Sequence, residues 1–586
     1  MDYGATRRGA FPTPEQDAVS AQQSGSEAAG TGVPDSTATE SPATGVPAAR
    51  PAAGHRRDGG RPDNGRRDIG RRGSGRRDSG HGSGSGGPAG LRVLAGWPLV
   101  LVLAVQAILS QRLVHANTAF QDEALYLWAG HQEWAHWLHG AAVPPFSAYF
   151  SGAPVIYPPL GALADSLGGL GGARTLSLVF MLGATALLWA ATARLFGRRA
   201  AFFAAALFAI LGPTLHLGAF ATYDALSVFL VALAAWCAVR AGERQDATGW
   251  MVAGGIALAL ANATAYSSAL LDPVVILLAL LVAYPRPGGK AAVARCATLL
   301  TVTVTLLLAG VLIGGGSYLT GIGKTTFARV GGADSLSSVL TDAASWTGLV
   351  VLIAIGGAAL SYARHRGSAQ TWLLALLAAA ALLVPLEQAS LHTAASLDKH
   401  VDLGIWFAAI AAGYAADKFI AAAPARWVSV TCGACVVALA LPLSLGLSQS
   451  RQFSTDWPNS GSFVAILRPL VSHGSGRLLV EDPSIAEYYL SAGRQWQRWS
   501  STRNIVLPSG ASTGGPTDGV TGDGASDAFA RFIGRGYFSL VALNFADTTA
   551  LDHAIRADLR ASNYQIIQVV PYGTGTYVIF RHEQHP

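Results

Sequence analysis

The sequence reads LAGWPLVLVLAVQAILSQRLV over residues 94–114 and FQDEALY over residues 120–126. The first stretch is apolar over a length that can cross the hydrocarbon core of a bilayer. The second places two adjacent carboxylates, Asp122 and Glu123, where that span would leave the bilayer. Because charged groups are costly beside hydrocarbon, a pair in this position favours chemistry at the membrane surface over simple packing.

The composition of the whole chain favours a polytopic α-helical membrane protein. Of its 586 residues, 51% are hydrophobic and 13% are charged, about half the charged fraction of a typical soluble protein. Long apolar runs predict about eleven transmembrane helices. The candidate segments are centred on 94–114, 173–193, 200–217, 221–239, 250–266, 269–284, 296–319, 346–363, 370–386, 401–416 and 427–447. The net charge of +6 comes without a basic patch interleaved with aromatics, so nucleic acid is not an expected partner.

Two other regions flank the membrane domain, which we assign to residues 91–449. Residues 1–90 are rich in Gly, Ser, Pro and charge, a composition typical of a disordered tail, here a basic one. Residues 450–586 alternate strand and helix patterns, which predicts a separate soluble α/β domain. The predicted elements are strand 477–481, helix 483–490, strand 537–543, helix 549–562 and strands near 564–570 and 575–580.

The distribution of positive charge predicts the topology. With the tail in the cytoplasm, the inner loops hold twelve Arg and Lys residues and the short outer loops hold five. This is the bias of a positive-inside protein. An odd number of spans then places the C-terminal domain outside the cytoplasm, and we expect a multi-pass protein of the plasma membrane.

This topology gathers several polar residues on the outer side. The first outer loop, residues 115–172, begins with the acidic pair and contains Tyr157, and Arg174 follows it. Asp224 opens the fourth span, and Lys399 and His400 precede the tenth. A carboxylate there can act as general base on an acceptor hydroxyl, and cations can stabilise a departing phosphate. A sugar on a lipid phosphate is the substrate that such a surface suits.

The order of these motifs resembles the GT-C membrane glycosyltransferases. In particular it resembles the protein O-mannosyltransferase and aminoarabinose-transferase group, glycosyltransferase family 39. The motifs are Asp122-Glu-Ala-Leu-Tyr126, Tyr157-Pro-Pro-Leu160, Arg174, Ala221-Thr-Tyr-Asp-Ala-Leu226 and Ser396-Leu-Asp-Lys-His400 followed by Gly404 to Gly413. The resemblance covers about residues 95–420 and says little about the C-terminal domain.

The resemblance implies a polyprenyl-phosphate-linked sugar donor and a catalytic acidic residue in the first outer loop. Asp122 would then be the base, with Glu123 beside it in metal, sugar or acceptor binding. Arg174, Lys399 and His400 are candidates for the phosphate and Asp224 for ordering the site, and Tyr157 is included among the candidate substrate-binding residues. The acceptor is a protein, a lipid or a cell-wall glycan, and a divalent metal ion is left open as a cofactor because members of the group differ.

Structural interpretations stand beside each of these roles. Asp122, Glu123 and Asp224 also suit the first turns of helices, where acidic residues are favoured. Lys399 and Arg174 also suit membrane anchors whose charged ends reach the interface, and Tyr157 lies in a loop that its two prolines stiffen.

Two other functions compete with the enzyme. A transporter or flippase of lipid-linked or cell-envelope substrates would place ionisable residues near the middle of broken helices. Here these residues fall at the ends of spans, which favours the enzyme. A non-catalytic scaffold whose C-terminal domain binds wall components would need neither Asp122 nor Glu123.

Overall fold

The computed structural model describes residues 97–148, 150–244, 246–285, 288–327, 331–472, 474, 476–491, 496–502 and 523–583. The predicted tail, residues 1–90, lies outside the described residues.

Helices make up the apolar part of the chain. In order they are α1 Trp97–Gln111, α2 Gln121–His139, α3 Tyr157–Phe196, α4 Arg198–Ala209, α5 Gly212–Leu217, α6 Tyr223–Gly242, α7 Thr248–Thr264, α8 Asp272–Ala283, α9 Gly289–Ile322, α10 Leu336–Arg364, α11 Ala369–Ser390, α12 Leu397–Ala422, α13 Val428–Ala438 and α14 Ala440–Thr455. A 3₁₀ turn at Tyr266–Leu271 extends α8, and a π turn at Gly323–Phe327 extends α9.

The number of long spans is smaller than predicted. Eight helical segments of the described residues are long and apolar enough to cross a membrane, against about eleven expected. The described part of each of the eleven segments contains a helix, but α1, α4 and α7 have 15, 12 and 17 residues, fewer than the roughly 20 of a full crossing. The third predicted span divides before the short helix α5, whose second residue is Pro213. A proline has no N–H with which to continue the preceding helix.

Helix α12 lies at the centre of the helical bundle, with residues Ile405 to Ala412 almost completely buried. It packs against α4, α10 and α11. Gly404 and Gly413 permit this packing, because an added Cβ would overlap the carbonyl oxygens of Ala380 and Ala200 respectively. The close contacts fix the position of the first turn of α12, which carries two of the predicted site residues.

The C-terminal region is a mixed α/β fold. Its elements are α15 Gly461–Ser472, β1 Arg477–Val480, α16 Ser484–Leu490, β2 Trp499–Ser501, α17 Asp523–Gly534, β3 Phe538–Leu543, α18 Thr549–Ala561, β4 Tyr564–Tyr572 and β5 Gly575–His582. The sheet order is β2-β1-β3-β5-β4, with β1 parallel to β2 and β3, and β5 antiparallel to β3 and β4. Separate apolar clusters contain Leu478 and Val480 on one side and Leu479 and Val541 on the other, as alternation along a strand requires.

A buried acidic pair lies beside the carboxyl end of strand β1. The Glu481 carboxylate, which follows β1, accepts the backbone N–H groups of Phe545, Ala546 and Asp547 at 2.7, 3.0 and 2.7 Å. Asp552 of α18 is completely buried beside it. Burial, and then the charge of Glu481, raise the pKa of Asp552 to about 8. Asp552 is therefore protonated at neutral pH.

We expect the stability of this region to fall as the pH rises from about 4 to 8 and to level off above 8. The native state keeps a proton on Asp552 up to its pKa of about 8, whereas the unfolded chain releases that proton above about pH 4. Each pH unit between these two values therefore lowers the free energy of unfolding by about 1.4 kcal/mol, or about 4 °C in the unfolding midpoint. Thermal unfolding of the purified full chain between pH 5 and 9 measures the slope.

The matched variant is Asp552→Asn, whose amide cannot titrate. Its unfolding midpoint should lack the decline that the wild type shows between pH 5 and 8. An equal decline in the variant and the wild type would contradict the assignment of the titration to Asp552.

Candidate active site

Glu123 is completely buried and fully engaged with the protein. Its Oε1 accepts Nε of Arg174 and the backbone N–H of Ala221, both at 2.8 Å. Its Oε2 accepts Nη2 of Arg174 at 2.6 Å and the backbone N–H of Phe120 at 2.9 Å. The last bond caps α2, of which Glu123 is the third residue. Four bonds thus satisfy the carboxylate from within the chain.

Arg174 is satisfied in the same way. Besides Glu123, its Nη1 donates to the carbonyls of Val114 and Asn117 at 2.8 and 2.9 Å, and its Nη2 donates to that of Thr118 at 3.2 Å. A guanidinium has five N–H donors, and all five point at groups of this protein. The geometry favours a positioning role for Arg174, holding the segment before α2, over direct contact with a phosphate.

Asp122 faces a different cation. Nζ of Lys399 donates to its Oδ2 at 2.8 Å, and both side chains are more than nine-tenths buried. The rings of Phe120 and Phe220 lie with their centroids 5.9 and 5.6 Å from the same ammonium. Among the described residues Asp122 is the hydrogen-bond partner of Nζ, which leaves two of the three ammonium hydrogens for a ligand.

A second pair is formed by His400, the residue after Lys399 on α12, and Asp224 of α6. Nε2 of His400 is 3.5 Å from Oδ1 of Asp224. The hydroxyl of Thr222 donates to Oδ2 of Asp224 at 2.8 Å. The amide of Gln388 lies 2.9 Å from Nδ1 of His400; with that amide as donor, Nε2 carries the proton toward Asp224. The pair is thereby oriented from both sides.

Three helices present their N-termini here. Asp122 lies in the first turn of α2, Asp224 in that of α6, and Lys399 and His400 in that of α12. Free N–H groups and the helix dipole make such ends favourable for negative charge. The ammonium of Lys399 and the imidazole of His400 among three helix N-termini form a setting for an anionic group such as a phosphate.

Tyr157 is completely buried at the start of α3. It lies in the apolar core that also contains Trp128 and Phe146. This placement suits packing against α2, which carries Asp122, better than an open binding surface.

Sequence reasoning missed several residues near the two pairs. Oδ2 of Asp398 lies 3.6 Å from Nε2 of His216, and the ring of His216 packs on that of Phe220 with centroids 4.7 Å apart. The ring of Trp457 lies 5.4 Å from that of Phe120. Asp398 precedes Lys399 directly and offered a local signal, whereas nothing in the sequence links Trp457 to residues more than 300 positions earlier.

The candidate residues do not fit a metal site. No cluster of three His, Cys, Asp or Glu side chains with suitable geometry occurs in the described part of the chain. Asp122 faces the ammonium of Lys399, and Asp224 faces the imidazole of His400.

A cleft of about 300 Å³ borders residues 114–118, the segment that Arg174 holds. Its lining residues are Val114, His115, Ala116, Asn117, Thr118, Leu170, Gly171, Asn459 and Tyr489. Asp122 and Lys399 do not line it, so this cleft and the paired charges are separate features.

Comparisons with known proteins agree with this architecture. Residues 166–313 match a protein family described as dolichyl-phosphate-mannose-protein mannosyltransferase. Comparison with curated protein sequences finds no match.

Solved structures share the fold. The chain is similar to ArnT from Cupriavidus metallidurans bound to undecaprenyl phosphate, with a TM-score of 0.56 and 15% identity over 83% of this chain and 98% of that one. It is also similar to the archaeal oligosaccharyltransferase AglB from Archaeoglobus fulgidus in complex with an inhibitory peptide and a dolichol-phosphate. That similarity has a TM-score of 0.50 and 13% identity over 83% of this chain and 74% of that one. The predicted GT-C fold is confirmed.

Removing one partner of the buried Glu123–Arg174 pair should destabilise the protein strongly. Glu123→Gln or Arg174→Met leaves an uncompensated buried charge, which costs about 3–5 kcal/mol. Thermal unfolding of the purified protein in detergent measures the loss.

Arg194→Met is the matched control. Arg194 pairs with Glu243 at 2.7 Å, but its side chain is 41% exposed, and exposed pairs contribute about 0–1 kcal/mol. If Arg174→Met unfolds at the same temperature as the control while donor binding weakens, Arg174 binds phosphate and the positioning role is wrong.

Proposed function

We propose that this GT-C-fold protein is a glycosyltransferase that moves a sugar from a polyprenyl phosphate to a hydroxyl-bearing acceptor at the membrane surface. The observation that carries the proposal is the buried Asp122–Lys399 pair, 2.8 Å between Oδ2 and Nζ, at converging helix N-termini. It supplies a base and a phosphate-binding cation side by side, on a fold shared with enzymes solved with polyprenyl phosphates.

The proposed step exchanges one bond at the anomeric carbon of the sugar. The acceptor oxygen bonds to that carbon while the bond from the carbon to the phosphate oxygen breaks. The electron pair of the broken bond leaves with the polyprenyl phosphate. Asp122 takes the proton of the acceptor hydroxyl, as a general base in hydrogen-bond reach would.

Lys399 links the two halves of this step. Its ammonium donates one hydrogen to Asp122, and a phosphate beside it would accept the remaining hydrogens. Drawing the ammonium toward the phosphate stabilises the leaving group. It also weakens the cation's hold on Asp122, which makes that carboxylate a better base.

Asp224 and His400 complete the proposed phosphate site. His400 presents Nε2 on the same turn as Lys399, where either Asp224 or a phosphate oxygen can accept its N–H. A His donor contributes a directed hydrogen bond, whereas the ammonium contributes a compact charge. Glu123 and Arg174 act behind these groups by fixing the start of α2.

The site is proposed to face outward at the plasma membrane, with the N terminus in the cytoplasm and the C-terminal domain outside. The bias of Arg and Lys toward the loops assigned to the cytoplasm supports this orientation. Lipid-linked sugars at the outer surface would then meet acceptor proteins, lipids or wall glycans there.

The transporter alternative predicts a different use of the same charges. It requires movement of the whole lipid-linked substrate across the bilayer without change to its glycosidic bond. Release of free polyprenyl phosphate in step with glycosylated acceptor supports the enzyme, and movement of intact donor into the other leaflet supports the transporter.

Asp122→Asn should lower sugar transfer by about 100-fold or more, because the amide cannot take the acceptor proton. Membranes containing the variant are assayed with labelled polyprenyl-phosphate sugars and extracted acceptors, and expression and membrane insertion should stay normal.

Asp334→Asn serves as control, because this loop carboxylate accepts the backbone N–H of Ala394 at 2.8 Å and takes no part in the ion pairs. Wild-type turnover in Asp122→Asn would remove the base assignment.

A reporter active only in the cytoplasm, fused after Pro586, should be silent, because the topology places the C-terminal domain outside. The same reporter placed after residue 244, in a loop assigned to the cytoplasm, should be active and controls for expression. Activity of the C-terminal fusion would reverse the proposed orientation of that domain.

A further inference from the structure

The segment just before α2 is held by residues of the C-terminal region. Nε1 of Trp457 donates to the carbonyl of Thr118 at 2.9 Å, and Nδ2 of Asn117 donates to the carbonyl of Trp457 at 2.9 Å. The backbone N–H of Ser460 donates to the hydroxyl of Thr118 at 2.9 Å. The backbone N–H of Ala119 donates to the hydroxyl of Tyr489 at 2.9 Å.

These four bonds act on a very short piece of chain. Residues 117–119 end three positions before Asp122, and the carbonyls of Asn117 and Thr118 also accept from Arg174. Ala119 is completely buried, so its N–H would have no access to water without the Tyr489 hydroxyl. The conformation of the segment is therefore determined jointly by Arg174 and by the C-terminal region.

The same residues reach the proposed phosphate site through ring contacts. The indole of Trp457 packs on Phe120 and Phe220 with centroids 5.4 and 5.7 Å apart. Those two rings border the ammonium of Lys399. A shift of Trp457 would move the apolar wall that surrounds Lys399.

A second contact ties the C-terminal region to the middle of α2. The hydroxyl of Tyr488 donates to Oδ1 of Asp165 at 2.6 Å. Oδ2 of the same carboxylate lies 2.7 Å from Nε2 of His131, which belongs to α2. The helix that carries Asp122 is thus held near its beginning and again about ten residues later.

We infer that the C-terminal α/β region is a positioning element of the transfer reaction. Trp457 and Tyr489 set the location of Asp122 relative to Lys399 by bonding residues 117–119. This inference rests on the proposed function. The resemblance to other glycosyltransferases does not itself give the C-terminal region this role. Because small displacements of reacting groups reduce rates steeply, the bonds affect turnover although none touches the substrate.

The test compares two variants that lose bonds to residues 117–119 with one variant that loses a tyrosine hydrogen bond elsewhere. Tyr489→Phe removes the acceptor for Ala119, and Trp457→Phe keeps a ring but removes the donor to Thr118. Tyr564→Phe is the matched control, because the Tyr564 hydroxyl donates to the carbonyl of Phe538 at 2.7 Å inside the C-terminal region. Sugar transfer by the full-length protein is measured for each, with kcat and the KM for the donor determined separately.

The expected result is a fall in kcat of about tenfold for Tyr489→Phe and for Trp457→Phe, with the donor KM little changed. Tyr564→Phe should keep wild-type kcat even where its unfolding temperature falls equally. A uniform loss that follows unfolding temperature in all three variants would mean that the contacts are structural only, and unchanged kcat in Tyr489→Phe would also overturn the inference.

Hydrogen exchange separates this inference from the proposed function. In Tyr489→Phe the backbone amides of residues 117–123 should exchange at least tenfold faster than in the wild type, and in Tyr564→Phe they should not. Unchanged exchange in Tyr489→Phe refutes the positioning role. If the wild type transfers no sugar while the exchange result holds, the positioning of the segment stands and the proposed reaction fails.

Discussion

The Glu123–Arg174 pair is the constraint on which the rest of the site depends. It joins α2, α3, the segment before α2 and the start of α6 through hydrogen bonds made by two side chains. A buried ion pair of this kind gains little over an apolar contact, but it tolerates no loss of a partner. Its value here is geometric. It determines where α2 begins, and hence where the neighbouring Asp122 points.

The adjacent carboxylates therefore have opposite characters. Glu123 is surrounded by donors from within the protein and has no capacity left for another molecule. Asp122 faces a lysine on another helix, in a pocket walled by Phe120 and Phe220. Consecutive residues on a helix point about 100° apart, so one doublet can serve both the framework and the chemistry.

The membrane architecture could be predicted from the sequence because apolar runs and their intervening turns are local signals. A helix occurs in the described part of every predicted apolar segment, but the lengths of α4 and α7 depend on where tertiary packing ends a helix, which periodicity does not reveal. In the C-terminal region, strands at Arg477 and Phe538 were predicted from β-rich runs. The three-residue strand β2 at Trp499 was missed, since so short a strand exists only through pairing with β1.

The candidate residues were found from their order along the chain, but their pairing was not. Sequence reasoning grouped Arg174 with Lys399 as phosphate ligands. Only the packing shows that the guanidinium of Arg174 donates to five acceptor atoms of the protein, whereas among the described residues the ammonium of Lys399 donates to Asp122 alone. The involvement of Trp457 and Tyr489 had no local signal, because it arises from contacts between residues more than 300 positions apart.

The two glycines of α12 have a consequence for how such a protein can diversify. Because Gly404 and Gly413 admit no side chain against α11 and α4, this packing fixes the position of α12 and of the ammonium at its first turn. If the protein uses the proposed donor, a lipid carrier with a longer or shorter isoprenoid must bring its phosphate to that same position. Divergence in carrier preference should therefore accumulate in the flanking loops and leave this helix face almost unchanged.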